Sequence, residues 1–243
     1  MADASPDPRL PDGRVCFVKR WPFAPAGFFA AEANGLAWLA EPGVIRVPDV
    51  LDVTVSSIAI EPIPIGAPTE SGAEQLGRSL ARLHAAGSPS FGASWPGFIG
   101  PLEMGNEPSA RDSDAISAEG TRTVERVLSR LREVAGPAAD EAPSRIHGDL
   151  WSGNLLWDNE GNGWIIDPAA HGGHRETDLA MLALFGTPHI ARILAAYDEE
   201  RPLAEGWRDR VALHQLHPLL VHAVLLGPNY GSQAEEAARW ILR

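Results

Sequence analysis

The chain has a single cysteine, Cys16, and a single lysine, Lys19, in 243 residues, and each scarcity closes off some chemistry. One thiol can form neither an intramolecular disulfide nor a cysteine-based zinc site, so a reducing cytoplasm is the expected setting. Cys16 lies in the apolar run Val15-Cys16-Phe17-Val18 and is expected to pack, not react. Positive charge is scarce as well: 20 Lys and Arg face 32 Asp and Glu, a net charge of −12. That balance argues against nucleic acid as the main partner, since phosphate backbones are held by clustered Lys and Arg. Long hydrophobic runs are missing. The most apolar stretch, Leu219 to Leu226, is too short to span a bilayer and is interrupted by His222, and Met1 to Pro11 lack the basic-then-apolar pattern of a signal peptide, so no membrane role is expected. A G-x-S-x-G elbow and an H-E-x-x-H helix are both absent, which removes serine hydrolases of that type and the commonest zinc proteases. Gly161-Asn162-Gly163 begins like a dinucleotide fingerprint, but no third glycine follows.

What is present concentrates in His147-Gly148-Asp149-Leu150-Trp151-Ser152-Gly153-Asn154, followed by Ile165-Ile166-Asp167. Phosphoryl transfer from ATP uses an Asp that accepts the proton of the acceptor hydroxyl, and an Asn and a second Asp that hold Mg²⁺ on the phosphates. Asp149 and Asn154 are five apart, so one tight loop containing Gly153 can turn both inward. Leu155-Leu156-Trp157 and Trp164-Ile165-Ile166 read as two short strands around an Asn- and Gly-rich turn over 158–163, a hairpin that returns Asp167 to the same mouth. Hard oxygen ligands of this kind suit Mg²⁺ and not zinc. In the order of kinase catalytic loops, Gly148 stands where protein kinases carry an Arg, which points to a small-molecule kinase.

Upstream, residues 14–20 alternate as a strand carrying Lys19, and Phe28 to Leu39 has helical spacing that includes Glu32. Strands are expected over 47–53 and 55–60, then a Pro-rich connector over 61–66, and a helix from Ser71 to Ala86 with Leu76, Leu80 and Leu83 on one face and Gly87 after its end. Residues 88–114 should be a long loop, followed by helices over 117–134, 176–185, 188–197, 207–226 and 233–242. The fold class expected is α+β, a protein-kinase-like arrangement of two lobes. Residues 1–62 would form a small, shortened, β-rich nucleotide lobe, and residues 63–243 a mainly helical catalytic and substrate lobe. A strand lysine paired with a helix glutamate steers the ATP phosphates in such folds, giving Lys19 and Glu32 that role. Backbone groups of Glu61 and Ile63 in the connector would meet the adenine edge.

The segment Asp167-Pro168-Ala169-Ala170-His171-Gly172-Gly173-His174-Arg175-Glu176-Thr177-Asp178-Leu179-Ala180-Met181, together with His147–Asn154, resembles the fructosamine/ribulosamine 3-kinase family, within the aminoglycoside phosphotransferase and choline kinase superfamily. Phe17-Val18-Lys19, the segment from Glu32 to Leu39, Leu76 to His84, Phe91-Gly92, Ile99-Gly100 and Leu213 to His222 match as well, so the resemblance covers most of residues 15–232. It implies an enzyme that moves the γ-phosphate of ATP to the 3-hydroxyl of a ketosamine, borne by a small molecule or a glycated protein. The product would fall apart and free the amine. Asp149 would be the base, Asn154 and Asp167 the Mg²⁺ ligands, and Lys19 and Glu32 the triphosphate anchors. Trp151, His171 and His174 would face the sugar. His171 and His174 share an i, i+3 spacing with His214 and His217; a Gly-hinged loop and a satisfied helix face are preferred to a metal site there. Only eighteen residues precede Lys19, with Asp12-Gly13 as their sole glycine turn, so the roof over the phosphates is expected to be reduced. Residues 101–120 also depart from the family's aromatic-rich pattern, which leaves the acceptor the least determined feature. Two other readings stay open: a kinase of an aminoglycoside or other amino-alcohol, and a non-catalytic, kinase-fold nucleotide-binding protein with a truncated first lobe.

Overall fold

In the computed structural model, which describes residues 3–5, 8–104 and 115–243, an antiparallel sheet comes first and a helical body follows. Strands β1 (Asp3–Ser5) and β2 (Phe17–Arg20), helix α1 (Phe28–Ala40), and strands β3 (Val50–Val53) and β4 (Ser57–Ile60) make up this beginning, with the four strands in the order β1-β2-β4-β3. Alternation along β2 puts Val18 with Cys16 and Ala59 in a packed cluster on one face, so the cysteine is buried as packing predicts. Lys19 pairs in register with Ile58 on the other face. Helix α1 covers that face, packing Phe29 and Leu36 on Ile58 and Ile60. The strands expected over 14–20, 47–53 and 55–60 are trimmed at their starts. Val15 makes only an isolated bridge to Arg9, and the Thr54 and Ser57 hydroxyls close the β3–β4 turn at 2.8 Å.

Helix α2 (Glu70–Ala85) starts at Thr69, whose hydroxyl accepts the Gly72 N–H at 3.0 Å. It buries Leu76, Leu80 and Leu83 in the largest core cluster. The loop expected over 88–114 is interrupted by a hairpin, β5 (Phe98–Ile99) with β6 (Leu102–Glu103), whose strands are too short for periodicity to reveal; residues 105–114 lie outside the described residues. The helix expected over 117–134 is two, α3 (Ala118–Ser129) and α4 (Leu131–Ala135). Arg130 leaves helical geometry between them at φ −115° and turns its guanidinium onto Glu133 at 2.9 Å.

Strand β7 (Ser144–Ile146) leads into the catalytic stretch, β8 (Leu155–Trp157) and β9 (Gly163–Ile165) form the anticipated hairpin one residue early on its second arm, and β10 (His171–Gly173) pairs back on β7. The β7–β10 pair was not anticipated: three residues, two of them glycine, carry no strand signal, and tertiary packing creates the pairing. Four helices follow, α5 (Arg175–Leu184), α6 (Ile190–Glu200), α7 (Val211–Leu226) and α8 (Pro228–Ile241). α7 begins later than expected because 207–210 form turns that aim Arg210 at Glu176. Pro228 lets α8 start earlier, since its missing N–H is one the first turn would leave unbonded. Among the described residues no helix is long and apolar enough to cross a membrane.

Candidate active site

The stretch from His147 to Asn154 is pinned from beneath by a buried carboxylate. Asp178, in the first turn of α5 and fully buried, accepts the His147 N–H at 2.7 Å and the Gly148 N–H at 2.9 Å. His84 of α2 donates to the same carboxylate at 3.2 Å and accepts from the Tyr197 hydroxyl at 2.9 Å. Burial alone would raise the Asp178 carboxyl, but the hydrogen bonds from His84 and from the His147 backbone help outweigh it and keep Asp178 below its ordinary value. Gly148 has φ 82°, and a Cβ there would collide with Ala169 O. His147 is fully buried; its Nδ1 accepts the Asp149 N–H at 3.3 Å and its Nε2 donates to Ile166 O at 2.8 Å, so it is a neutral brace between the loop and β9. Burial lowers its imidazole, which agrees with that state.

On this support Asp149, Asn154 and Asp167 converge. Asn154 Nδ2 donates to Asp149 O at 2.8 Å, to Asp149 Oδ2 at 3.0 Å and to Asp167 O at 3.4 Å. Asp149 Oδ1 is buried with no hydrogen-bond partner among the described residues. Burial pushes the Asp149 carboxyl up to about 7; the Asn154 hydrogen bond opposes this, and the Asp167 and Asp178 charges add to it. Asp167 sits in left-handed backbone at φ 52°, a conformation non-glycine residues adopt at a cost. Lys19 Nζ lies 2.8 Å from Glu32 Oε2 and 2.8 Å from Asp167 Oδ1. Burial works against its charge, but the two carboxylates outweigh it and hold the ammonium above its ordinary value.

These five residues line one cleft of about 210 Å³, with Phe28 and Ala31 of α1, Trp151, and Trp95 to Phe98. Sequence reasoning did not single out Trp95 and Phe98. The only signal was two aromatics in a Gly- and Pro-rich loop, the kind of segment that carries binding residues. Trp95 packs edge-on against Trp38 at 5.7 Å, and Phe98 against Phe28 at 5.5 Å.

The remaining residues named from sequence lie elsewhere. His171 does not line the cleft: its Nδ1 donates to Ala169 O at 2.7 Å and its ring backs Gly148. His174 is also outside it, capping α5 by accepting the Glu176 N–H at 3.2 Å and donating to Ala138 O at 3.2 Å. Its ring stacks on His214 at 4.6 Å, beside Glu176. The ring nitrogens of His174 are already used and Glu176 is gripped by Arg210 at 2.6 and 2.9 Å, so the histidines serve a helix cap and an ion pair. Glu61 and Ile63 lie outside the cleft around Asp149. The Glu61 N–H is taken by Asp49 O at 2.9 Å, so that donor is not free for an adenine.

The fructosamine kinase family profile matches residues 11–114 and 110–243. A protein of Enterococcus faecium named a probable ketoamine kinase is 34% identical over 244 residues, covering 92% of this chain and 86% of its own length. The crystal structure of a Thermobifida fusca protein assigned as a fructosamine-3-kinase superposes with a TM-score of 0.90 at 44% identity, covering 100% of this chain and 93% of that one. The choline kinase LicA of Streptococcus pneumoniae, at 16% identity and a TM-score of 0.63 over 94% of this chain and 86% of its own, shares the fold alone. The sheet-then-helix architecture is thus the kinase-like one, and the chain belongs to the fructosamine kinase family of phosphotransferases.

Proposed function

We propose that this chain transfers the γ-phosphate of ATP to the 3-hydroxyl of a ketosamine, on a small amine or a glycated protein, as a deglycation activity. The observation that carries this reading is Asp149: a carboxyl that burial raises to about 7, at the wall of a cleft that also holds Lys19, Asn154 and Asp167. A base needs a carboxyl whose proton affinity lies near the working pH and which borders the space the acceptor enters. In the step proposed, the acceptor hydroxyl gives its proton to the Asp149 carboxylate, its oxygen bonds to the γ-phosphorus, and the bond to the β-phosphate oxygen breaks to release ADP. Lys19, held by Glu32, orients the α- and β-phosphates.

The donor set fits Mg²⁺. Asn154 uses its amide nitrogen on Asp149, which leaves its carbonyl oxygen free, and the Asp167 carboxylate faces the same cleft. These are the hard oxygen ligands the ion takes, and when bound it would neutralise charge on the phosphates. Residues 1–62 are proposed as the nucleotide lobe and 63–243 as the catalytic and acceptor lobe. For the adenine, the Glu61 carbonyl and the Ile63 N–H are the proposed contacts. Trp151, which lines the cleft, is proposed as the sugar-side surface.

The test is ADP release with Mg²⁺-ATP against ribulose-lysine, fructose-lysine and an aminoglycoside, with Asp149→Asn as the control. Ketosamine-dependent turnover that disappears in Asp149→Asn, while ATP affinity stays nearly unchanged, is the expected result. Turnover retained in that variant would remove Asp149 from the base role. Turnover of the aminoglycoside alone would replace the ketosamine acceptor.

A further inference from the structure

Trp151 is exposed enough to meet a ligand, at 36%, and its indole is packed against Gly153 and Phe185. Gly153 lies against it, and a Cβ at that position would overlap the far end of the ring, so the indole rests on backbone that only glycine leaves bare. Beside it, Phe185, immediately after α5, meets the indole edge-on, with centroids 5.8 Å apart and ring planes at 72°. Phe185 is braced in turn by His222 of α7 at 5.2 Å and Tyr230 of α8 at 6.3 Å, which contact each other at 5.2 Å. His222 Nδ1 donates to Pro218 O at 2.7 Å, and this bond fixes its ring. The aromatic chain therefore runs from the helical body to the cleft wall, and Phe185, His222 and Tyr230 do not themselves line the cleft.

A half-exposed indole without such support would sample several rotamers and would have to be ordered each time a ligand bound. Fixing it beforehand removes that cost from binding. We propose that Phe185, backed by His222 and Tyr230, is a positioning residue for the acceptor: it holds the Trp151 indole as a preset wall beside Asp149. The proposal rests on the acceptor reading of the cleft given above. It assigns Phe185 no contact with either substrate, so its effect must pass through Trp151.

A double-mutant cycle tests this, using the acceptor that wild-type enzyme turns over best and measuring KM for acceptor and for ATP separately. Trp151→Ala and Phe185→Ala are each expected to raise the acceptor KM, with Phe185→Ala changing it about threefold to tenfold, the usual strength of one aromatic pair. The ATP KM should be unchanged. In the Trp151→Ala background, Phe185→Ala should add nothing, and Phe185→Tyr alone should stay close to wild type. The idea is overturned if Phe185→Ala raises the acceptor KM by the same factor with and without Trp151, because its effect then bypasses the indole. It is equally overturned if Phe185→Ala raises the ATP KM and lowers Tm with no selective effect on the acceptor. An enzyme that turns over only the aminoglycoside would sink the ketosamine reading, and the same cycle run with that acceptor would still decide the role of Phe185. No change in acceptor KM for Trp151→Ala would end both the indole wall and its brace.

Discussion

At Lys19 one ammonium serves two carboxylates, and the arrangement ties stability to activity. The Lys19 and Glu32 side chains are only 16% and 7% exposed, so removing Lys19 takes the counter-charge from a buried carboxylate. Lys19→Ala is expected to lose about 3 kcal/mol of stability by urea unfolding, the usual range for breaking a buried pair. It should also weaken ATP use by about tenfold or more. Adding Glu32→Gln should recover much of the stability and none of the activity. Equal stability of Lys19→Ala and wild type would show that the pair is solvated. That Lys19, Glu32, Asp149, Asn154 and Asp167 gather in one cleft was legible in the sequence, because those residue types recur there at recognisable spacings. Trp95 and Phe98 were not, since an aromatic ring in a loop carries no spacing rule, and only the fold brings it against Trp38 and Phe28.

Among the elements, helices read best because their buried faces repeat. Leu76, Leu80 and Leu83 marked α2 in advance, and all three are in the core. Gly77 on the same helix approaches α6 so closely that a Cβ would overlap Ile193 O, a backbone atom that cannot rotate away. Gly77→Ala should therefore push the two helices apart and cost about 2 kcal/mol, as overpacking does, despite alanine's better helix propensity. A rise in Tm for Gly77→Ala would contradict the close packing. The β7–β10 pair is the opposite case. His171-Gly172-Gly173 has no alternation to detect, and Gly172 is required because a Cβ would strike Ser90 O across a chain that only tertiary contact brings near.

For the whole molecule, a buried acid–base pair joins α5 to the turn before α7. Burial would raise the Glu176 carboxyl, but the hydrogen bonds and charges of His214 and Arg210 outweigh it and hold it at about 2, against an ordinary value of 4.5. A carboxyl depressed in the folded state contributes stability that is fully present above about pH 4.5 and is lost as the pH falls through about 2, up to about 3 kcal/mol. Thermal unfolding should show wild type losing Tm across that window. Glu176→Gln should start lower at neutral pH, because Arg210 loses its charged partner, and should fall less steeply between pH 4.5 and 2. Parallel curves for the two proteins would remove Glu176 from the acid response.

The same scale contains the contacts that set the sheet against the helical body. Gly35 of α1 lies against Pro168 and Ala170, where a Cβ would be 3.1 and 3.2 Å from their side chains. Arg145 of β7 reaches the Trp38 carbonyl and, at 2.7 Å, Glu41, with its guanidinium over the Trp38 ring. By itself the sequence determined the α+β class, the long helices, the β8–β9 hairpin and the charged residues of the cleft, because local periodicity and hydrogen-bonding chemistry leave their mark within a few residues. Only the tertiary structure places His171 and His174 outside the cleft around Asp149, Trp95 and Phe98 along its wall, and Phe185 behind Trp151. Those roles depend on contacts between segments tens of residues apart, which no local pattern encodes.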